Sequence, residues 1–258
     1  MRVAVVTGAA RGIGSATVRR LVQDGWNVVA VDVCADDPSI GYPLARRDEL
    51  EALQTADGSV TTVVADVRDL DALQHAVDVA VETYGGLDAA FAVAGVIAGG
   101  VSQWSTSTDA ERAVIDVDLV GVLNLARVAV PAMLARPEPR SGRFIAVASS
   151  AATQGLPRLA AYCAAKAGVV GFVRGLAGDL RGTGVTANAV SPGSTETAML
   201  TESARIYELS GVEVFASQQP VERLLSPDEV AAALVWLARE DNGGITGAVV
   251  PVDGGLSL

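Results

Sequence analysis

The segment AAYCAAKAG (residues 160–168) places Tyr162 four positions before Lys166, so a helix would present both from one face. A free phenol titrates near ~10 and is a poor base at neutral pH. An ammonium beside it favours the phenolate and lowers that value, which would make Tyr162 a proton-transfer group. Taken alone, a Tyr-x-x-x-Lys pair is an ordinary feature of an amphipathic helix. Its meaning depends on what the rest of the chain brings near it.

A second group of residues suggests a phosphate cradle. VVTGAARGIGSAT sets Gly8, Gly12 and Gly14 between an apolar β-branched run and a helical stretch. Backbone N–H groups in such a turn, with the helix N-terminus behind them, can hold a pyrophosphate because glycine puts no side chain in the way. The spacing is G-x-x-x-G-x-G and departs from the common dinucleotide fingerprint. Asp32 ends the next apolar run, where a carboxylate can accept from ribose hydroxyls and repel a 2′-phosphate; a turn or capping aspartate is the alternative. Arg11, inside the glycine loop, would instead favour a phosphate. Asp32 holds the more direct position, so NAD is expected over NADP. Asp66, at the end of the third run, reads equally as a contact for an adenine amino group or as the cap of a helix at 69–84.

The elements that must position these groups alternate. Strands are expected at 3–6, 27–32, 60–66, 87–94, 142–149, 185–191 and 247–253, and helices at 12–25, 46–56, 69–84, 108–135, 160–181, 197–217 and 227–240. Near-continuous apolar strands, each followed by a helix, predict an α/β fold. The expectation is a single doubly wound, Rossmann-like parallel sheet of about seven strands with helices on both faces, one domain over 1–258. Two connections stand out: a long one at 33–45, and a lid at 192–222 containing Met199, Leu200, Tyr207 and Phe215.

Composition excludes several partners. With 19 basic and 30 acidic residues the formal charge is −11, which argues against nucleic acid or an anionic membrane surface. Cys34 and Cys163 show no metal-ligand spacing and no disulfide framework, so no metal site is expected and a reduced, cytoplasmic protein is. MRVAVVTG reads as a first strand, too short for a signal-peptide core, and no uninterrupted apolar run reaches the ~18 residues of a membrane span. His75 reads as a surface residue, Cys163 as core, and Trp26, Trp104 and Trp236 as packing, with Trp104 alone placed to line a pocket.

The motifs TGAARGIG (7–14), SS (149–150), YCAAK (162–166), NAVSPGSTET (188–197) and VDGG (252–255), in this order, resemble the short-chain dehydrogenase/reductase family over the whole chain. DVCADDPSIGYPLARRDEL (32–50) and AYCAAKAGVVGFVRGLA (161–177) further resemble its mycofactocin-associated subgroup. The resemblance implies a proton-transferring Tyr162, its partner Lys166, and a serine thirteen positions before the tyrosine, which selects Ser149 over Ser150. It implies cofactor contacts from Gly8, Arg11, Gly12, Ile13, Gly14, Asp32, Asp66, Val67, Ala94, Gly95, Tyr162 and Lys166, with Pro192, Gly193, Thr195 and Thr197 around the nicotinamide.

Two positions depart from the family pattern. AVAG (92–95) replaces Asn-Asn-Ala-Gly, so a structural compensation is expected. DLVG (118–121) puts Asp118 where the family has a catalytic Asn, next to the chemistry of Lys166. The implied function is NAD-dependent interconversion of a secondary alcohol and a ketone on a mostly hydrophobic small molecule. The alternatives are an NADP-dependent carbonyl or 3-oxoacyl reductase and a non-catalytic dinucleotide-binding regulator. The family also implies a homotetramer or homodimer through the helices at 108–135 and 160–181. The subgroup implies an NAD that stays bound, covered by the 33–45 loop and reoxidised by an external redox carrier.

Overall fold

The computed structural model describes residues 1–258. Seven parallel strands form one sheet in the order β3-β2-β1-β4-β5-β6-β7. They are β1 (Val3–Thr7), β2 (Asn27–Asp32), β3 (Val60–Val64), β4 (Ala89–Ala92), β5 (Arg143–Val147), β6 (Thr186–Pro192) and β7 (Val249–Val252). Strand alternation explains why the runs are mostly apolar. Val3 and Val5 face one core while Ala4 and Val6 face the other; Phe144 and Ala146 divide from Ile145 and Val147 in the same way.

One face is covered by α3 (Leu70–Tyr84), α5 (Gly121–Leu134) and α6 (Ala160–Asp179), through Leu73, Leu125 and Val169. The other is covered by α1 (Gly12–Gln23) and α8 (Pro227–Ala238), through Leu21, Val230 and Leu234. α6 is long and apolar enough by composition to cross a membrane, yet it buries Tyr162 and Lys166 and packs its Val169 and Val173 into the sheet core.

Local signals explain the element ends. Ser226 and Glu229 form a reciprocal capping box at the start of α8, with Pro227 in its first turn. Asp69 caps α3 by accepting from Asp71 N and Ala72 N, and Gly85 closes it at φ 85°. The cap is therefore Asp69, not Asp66.

Several expected boundaries move. The strand at 87–94 shortens to β4 because Val93 N and Ala94 N turn to the Thr7 hydroxyl (3.2 and 3.4 Å) instead of a neighbouring strand. The helix at 46–56 ends early as α2 (Arg47–Glu51), followed by a turn containing Gly58 at φ +73°. The helix at 197–217 stops as α7 (Ala198–Ile206), with a separate 3-10 segment at Val212–Gln218, because Leu209 N folds back to Ala204 O and Glu208 takes φ +56°. The long helix at 108–135 divides into α4 (Thr108–Ile115) and α5, joined by a wider π-helical turn at Asp116–Val120. π-Bulges of this kind frequently mark functional sites, and this one carries Asp118.

Candidate active site

Strand order reverses between β1 and β4, and a cleft of about 1270 Å³ opens at the C-terminal ends of the strands. At one end lies the glycine turn. Gly8 has φ +64°, and a Cβ there would stand 2.6 Å from Ala94 Cα, so β1 and β4 approach too closely for any side chain. A Cβ on Gly14 would strike the Gly8 carbonyl oxygen, so α1 begins directly against the turn. Gly8, Arg11, Gly12, Ile13, Gly14, Asp32, Asp66, Val67, Ala94 and Gly95 all line the cleft. This cradle, with free space before a helix N-terminus, fits a dinucleotide pyrophosphate.

Asp32 closes β2 and is nearly buried. Its carboxylate accepts from Ala10 N (3.0 Å) and Cys34 N (3.4 Å), so it shapes the turn and also faces the cleft. Arg11 also lines the cleft, and one guanidinium N–H donates to Pro43 O at 2.8 Å, a single bond to a neutral carbonyl that leaves the group a cation. Asp66 is held by Arg68 (2.6 Å), which also reaches Asp37 at 2.7 Å.

At the other end, Ser149 follows β5 while Tyr162 and Lys166 share one face of α6. All three line the cleft. Lys166 is 3% exposed; its ammonium donates to Val147 O (3.2 Å) and lies 3.1 Å from Asp118 Oδ2 and 5.7 Å from the Tyr162 ring centre. Asp118 is fully buried. Its Oδ1 accepts from Val96 N at 2.8 Å, and its Oδ2 has the Lys166 ammonium as its only neighbour of opposite charge.

The electrostatics oppose one another. Burial pushes the Tyr162 phenol up from its ordinary value; Lys166 and the Ser149 hydroxyl pull it down, and Asp118 pushes it further up. Burial disfavours the Lys166 ammonium, but Asp118 and the Tyr162 phenol together hold the group above the usual range. Burial raises the Asp118 carboxyl against the pull of Lys166 and of Val96 N. The phenol hydroxyl currently donates to Met199 Sδ at 3.8 Å, so a substrate oxygen must take the place of that sulfur.

The SPGSTET segment leaves β6 at Pro192. Gly193 N donates to Val252 O (3.0 Å), and a Cβ on Gly193 would stand 2.8 Å from Asp253 Cα. Thr195 Oγ1 donates to Gly193 O (3.1 Å). Thr197 caps α7, accepting from Leu200 N and donating to Thr195 O, so a carboxamide would have to share its hydroxyl.

The compensation for AVAG is visible. Thr7 takes Val93 N and Ala94 N, while Asp118 takes Val96 N. Other expectations are corrected. Trp104 is 89% exposed and does not line the cleft, because its short 3-10 turn stands off the fold. Cys163 is half-buried at the surface of the third hydrophobic cluster, its sulfur accepting from Leu156 N. As expected, Trp26 packs beneath Arg2 and His75 is exposed on α3. Ile40, Tyr42 and Arg68 also line the cleft, though no local pattern in the sequence marks them.

The chain is similar to known proteins along almost its whole length. Residues 8–257 match the family described as enoyl-(acyl carrier protein) reductase. The chain is 36% identical to (−)-trans-carveol dehydrogenase of Rhodococcus erythropolis, covering 100% of this chain and 98% of that one. It is 34% identical to the 3-oxoacyl-(acyl-carrier-protein) reductase of Thermotoga maritima, covering 100% and 98%. Its fold matches the crystal structure of carveol dehydrogenase from Mycobacterium avium in complex with NAD, with a TM-score of 0.91, 29% identity and coverage of 99% and 97%. The chain belongs to the short-chain dehydrogenase/reductase family and is an oxidoreductase acting on CH–OH groups.

Proposed function

We propose that the protein interconverts a secondary alcohol and a ketone on a mostly hydrophobic small molecule, with NAD as cofactor. The observation that carries this reading is the buried Tyr162–Lys166–Asp118 chain, beside Ser149, in one cleft with a side-chain-free glycine turn and Asp32. When bound, NAD supplies the hydride acceptor for the alcohol carbon. Ser149 holds the alcohol oxygen in line, and the Tyr162 phenolate takes its proton. Lys166 stabilises that phenolate, and Asp118 fixes the ammonium. The SPGSTET turn, with Pro192, Gly193, Thr195 and Thr197, walls the nicotinamide end.

The choice of NAD follows from Asp32 at the end of β2, whose charge opposes a 2′-phosphate. The substrate end is lined by Ile97, Leu156, Leu159, Met199, Tyr207 and Phe215, while the cleft's other cations, Arg11, Arg19 and Arg68, come from the glycine loop, α1 and the segment after β3. A neutral apolar alcohol suits such a chamber better than an acyl group on a phosphate-bearing carrier. The likeness to carveol dehydrogenases supports a cyclic substrate. The test is to denature the purified protein, identify the dinucleotide released, and assay reduction of NAD with cyclic secondary alcohols. NAD and new NADH are expected. Release of NADP, with ketone reduction preferred, would favour a carbonyl or 3-oxoacyl reductase; bound dinucleotide with no turnover would favour a regulator.

The mycofactocin-type reading rests on the 33–45 segment, which is tied to the body of the fold at two points and closed on its own end at a third. Arg68 grips Asp37, Arg11 grips Pro43 O, and Arg46 grips Asp36 (2.8 Å). A strap so held would keep NAD in place between turnovers and leave reoxidation to an external carrier. Arg68→Ala removes one tie and is expected to speed exchange of bound NAD with radiolabelled NAD by about tenfold, with little change in thermal stability. Wild-type protein that exchanges NAD within seconds would refute retention.

We further propose assembly as a homotetramer or homodimer through α4, α5 and α6, in the cytoplasm. α6 presents Ala164, Ala167, Gly171 and Gly175 outward, small residues that allow another helix to approach closely.

A further inference from the structure

The strap does not stay at the adenosine end of the cleft. Ile40 is 7% exposed and packs with Val96, Ile97, Leu159, Ile206 and Tyr162 in a hydrophobic cluster separate from the two sheet cores. Tyr42 packs against the same cluster, with Met199 and Tyr207. Its hydroxyl accepts from Ile97 N at 3.3 Å. The preceding amide, Val96 N, is held by Asp118. Successive amides just beyond β4 are thus held by two side chains, one from the π-helical turn and one from the strap.

The strap tip also meets the lid. A Cβ on Gly41 would lie 3.1 Å from the Arg205 guanidinium and 3.4 Å from the Glu202 carboxylate, both on α7. Met199 of α7 touches the Tyr162 hydroxyl, and Tyr207 donates to Pro157 O at 2.9 Å. The space beside Tyr162 is therefore enclosed by strap and lid together. Burial drives the Tyr42 phenol far up, so it stays neutral at working pH, and its own proton has no acceptor within the protein. Because the strap is pinned at Asp36, Asp37 and Pro43, shortening Tyr42 would open space that the strap does not collapse to fill.

We propose that Tyr42, supported by Ile40, is a specificity-determining residue: the strap's own side chains form the wall that limits the bulk of the alcohol admitted beside Tyr162. This rests on the alcohol-oxidising reading above, and the test separates the two. Binding of cyclohexanol and of a fused two-ring secondary alcohol to the NAD-loaded protein is measured by calorimetry, alongside turnover of each. Tyr42→Ala is expected to shift the affinity ratio toward the two-ring alcohol by about tenfold, and Ile40→Ala to shift it in the same direction. Tyr42→Phe, which keeps the ring, should hold the ratio within about twofold of wild type. If Tyr42→Ala fails to fold, Tyr42→Leu takes its place. An unchanged ratio in Tyr42→Ala or Tyr42→Leu overturns the proposal, as does an equal shift in Tyr42→Phe. Binding without turnover in the wild type would defeat the proposed reaction and leave the wall intact.

Discussion

Tyr162→Phe should lower kcat for a cyclic secondary alcohol by about 10²–10⁴-fold, the range that positioned proton transfer contributes. The phenylalanine keeps the ring in its cluster with Ile40, Val96 and Leu159, and the lost hydroxyl meets only the Met199 sulfur and the Ser149 hydroxyl in the resting protein. Stability and dinucleotide affinity should therefore change little. Steady-state kinetics, with NADH binding followed by fluorescence, checks both halves. Turnover at the wild-type rate would mean that the phenol carries no proton. The size of the expected loss reflects how little else could replace it: the cleft lining contains no histidine, and Lys166 is committed to Val147 O and Asp118.

Asp118→Asn should move the rising limb of the pH profile for alcohol oxidation to lower pH. The carboxylate raises the phenol's proton affinity, adding to the effect of burial and opposing Lys166. Removing its charge favours phenolate, so the base is competent at lower pH. The amide oxygen can still accept from Val96 N, so the fold should survive. Asp118→Ala differs: it strands a buried ammonium and frees a backbone amide, and should cost about 3–5 kcal/mol in stability. Thermal melts of the two variants, beside kcat/KM against pH, distinguish the electrostatic role from a structural one. A limb that stays in place in Asp118→Asn would show that Asp118 does not reach the phenol's titration.

Much of the architecture was readable because its physics is local. A strand covered on both faces is mostly apolar along its length, and each of the seven expected runs contains a strand of the sheet. Tyr162 and Lys166 meet on one face because helical geometry leaves no other outcome. The glycines of 8–14 were legible because the close approaches at Gly8 and Gly14 exclude a side chain. Element ends were less legible. The division at Asp116–Val120 depends on how α4 and α5 seat against α6, and the choice of Asp69 over Asp66 as cap depends on where α3 starts relative to the sheet.

By itself, then, the sequence determined the βα order, the glycine turn after the first strand, the four-residue spacing that puts Tyr162 and Lys166 on one helix face, and the carboxylate at 118. Periodicity, helix spacing and steric exclusion act over a few residues and leave their mark on composition. Only the tertiary structure decided where the 33–45 segment goes. It carries Tyr42 to Ile97, 55 positions away, and Asp37 to Arg68. It also decided that Arg11 reaches Pro43 of that segment, and that Asp118 meets Lys166 with both side chains buried. Such contacts depend on the docking of distant elements and on burial, which sets the strength of every charge in the site and has no signature in the spacing of residues along the chain.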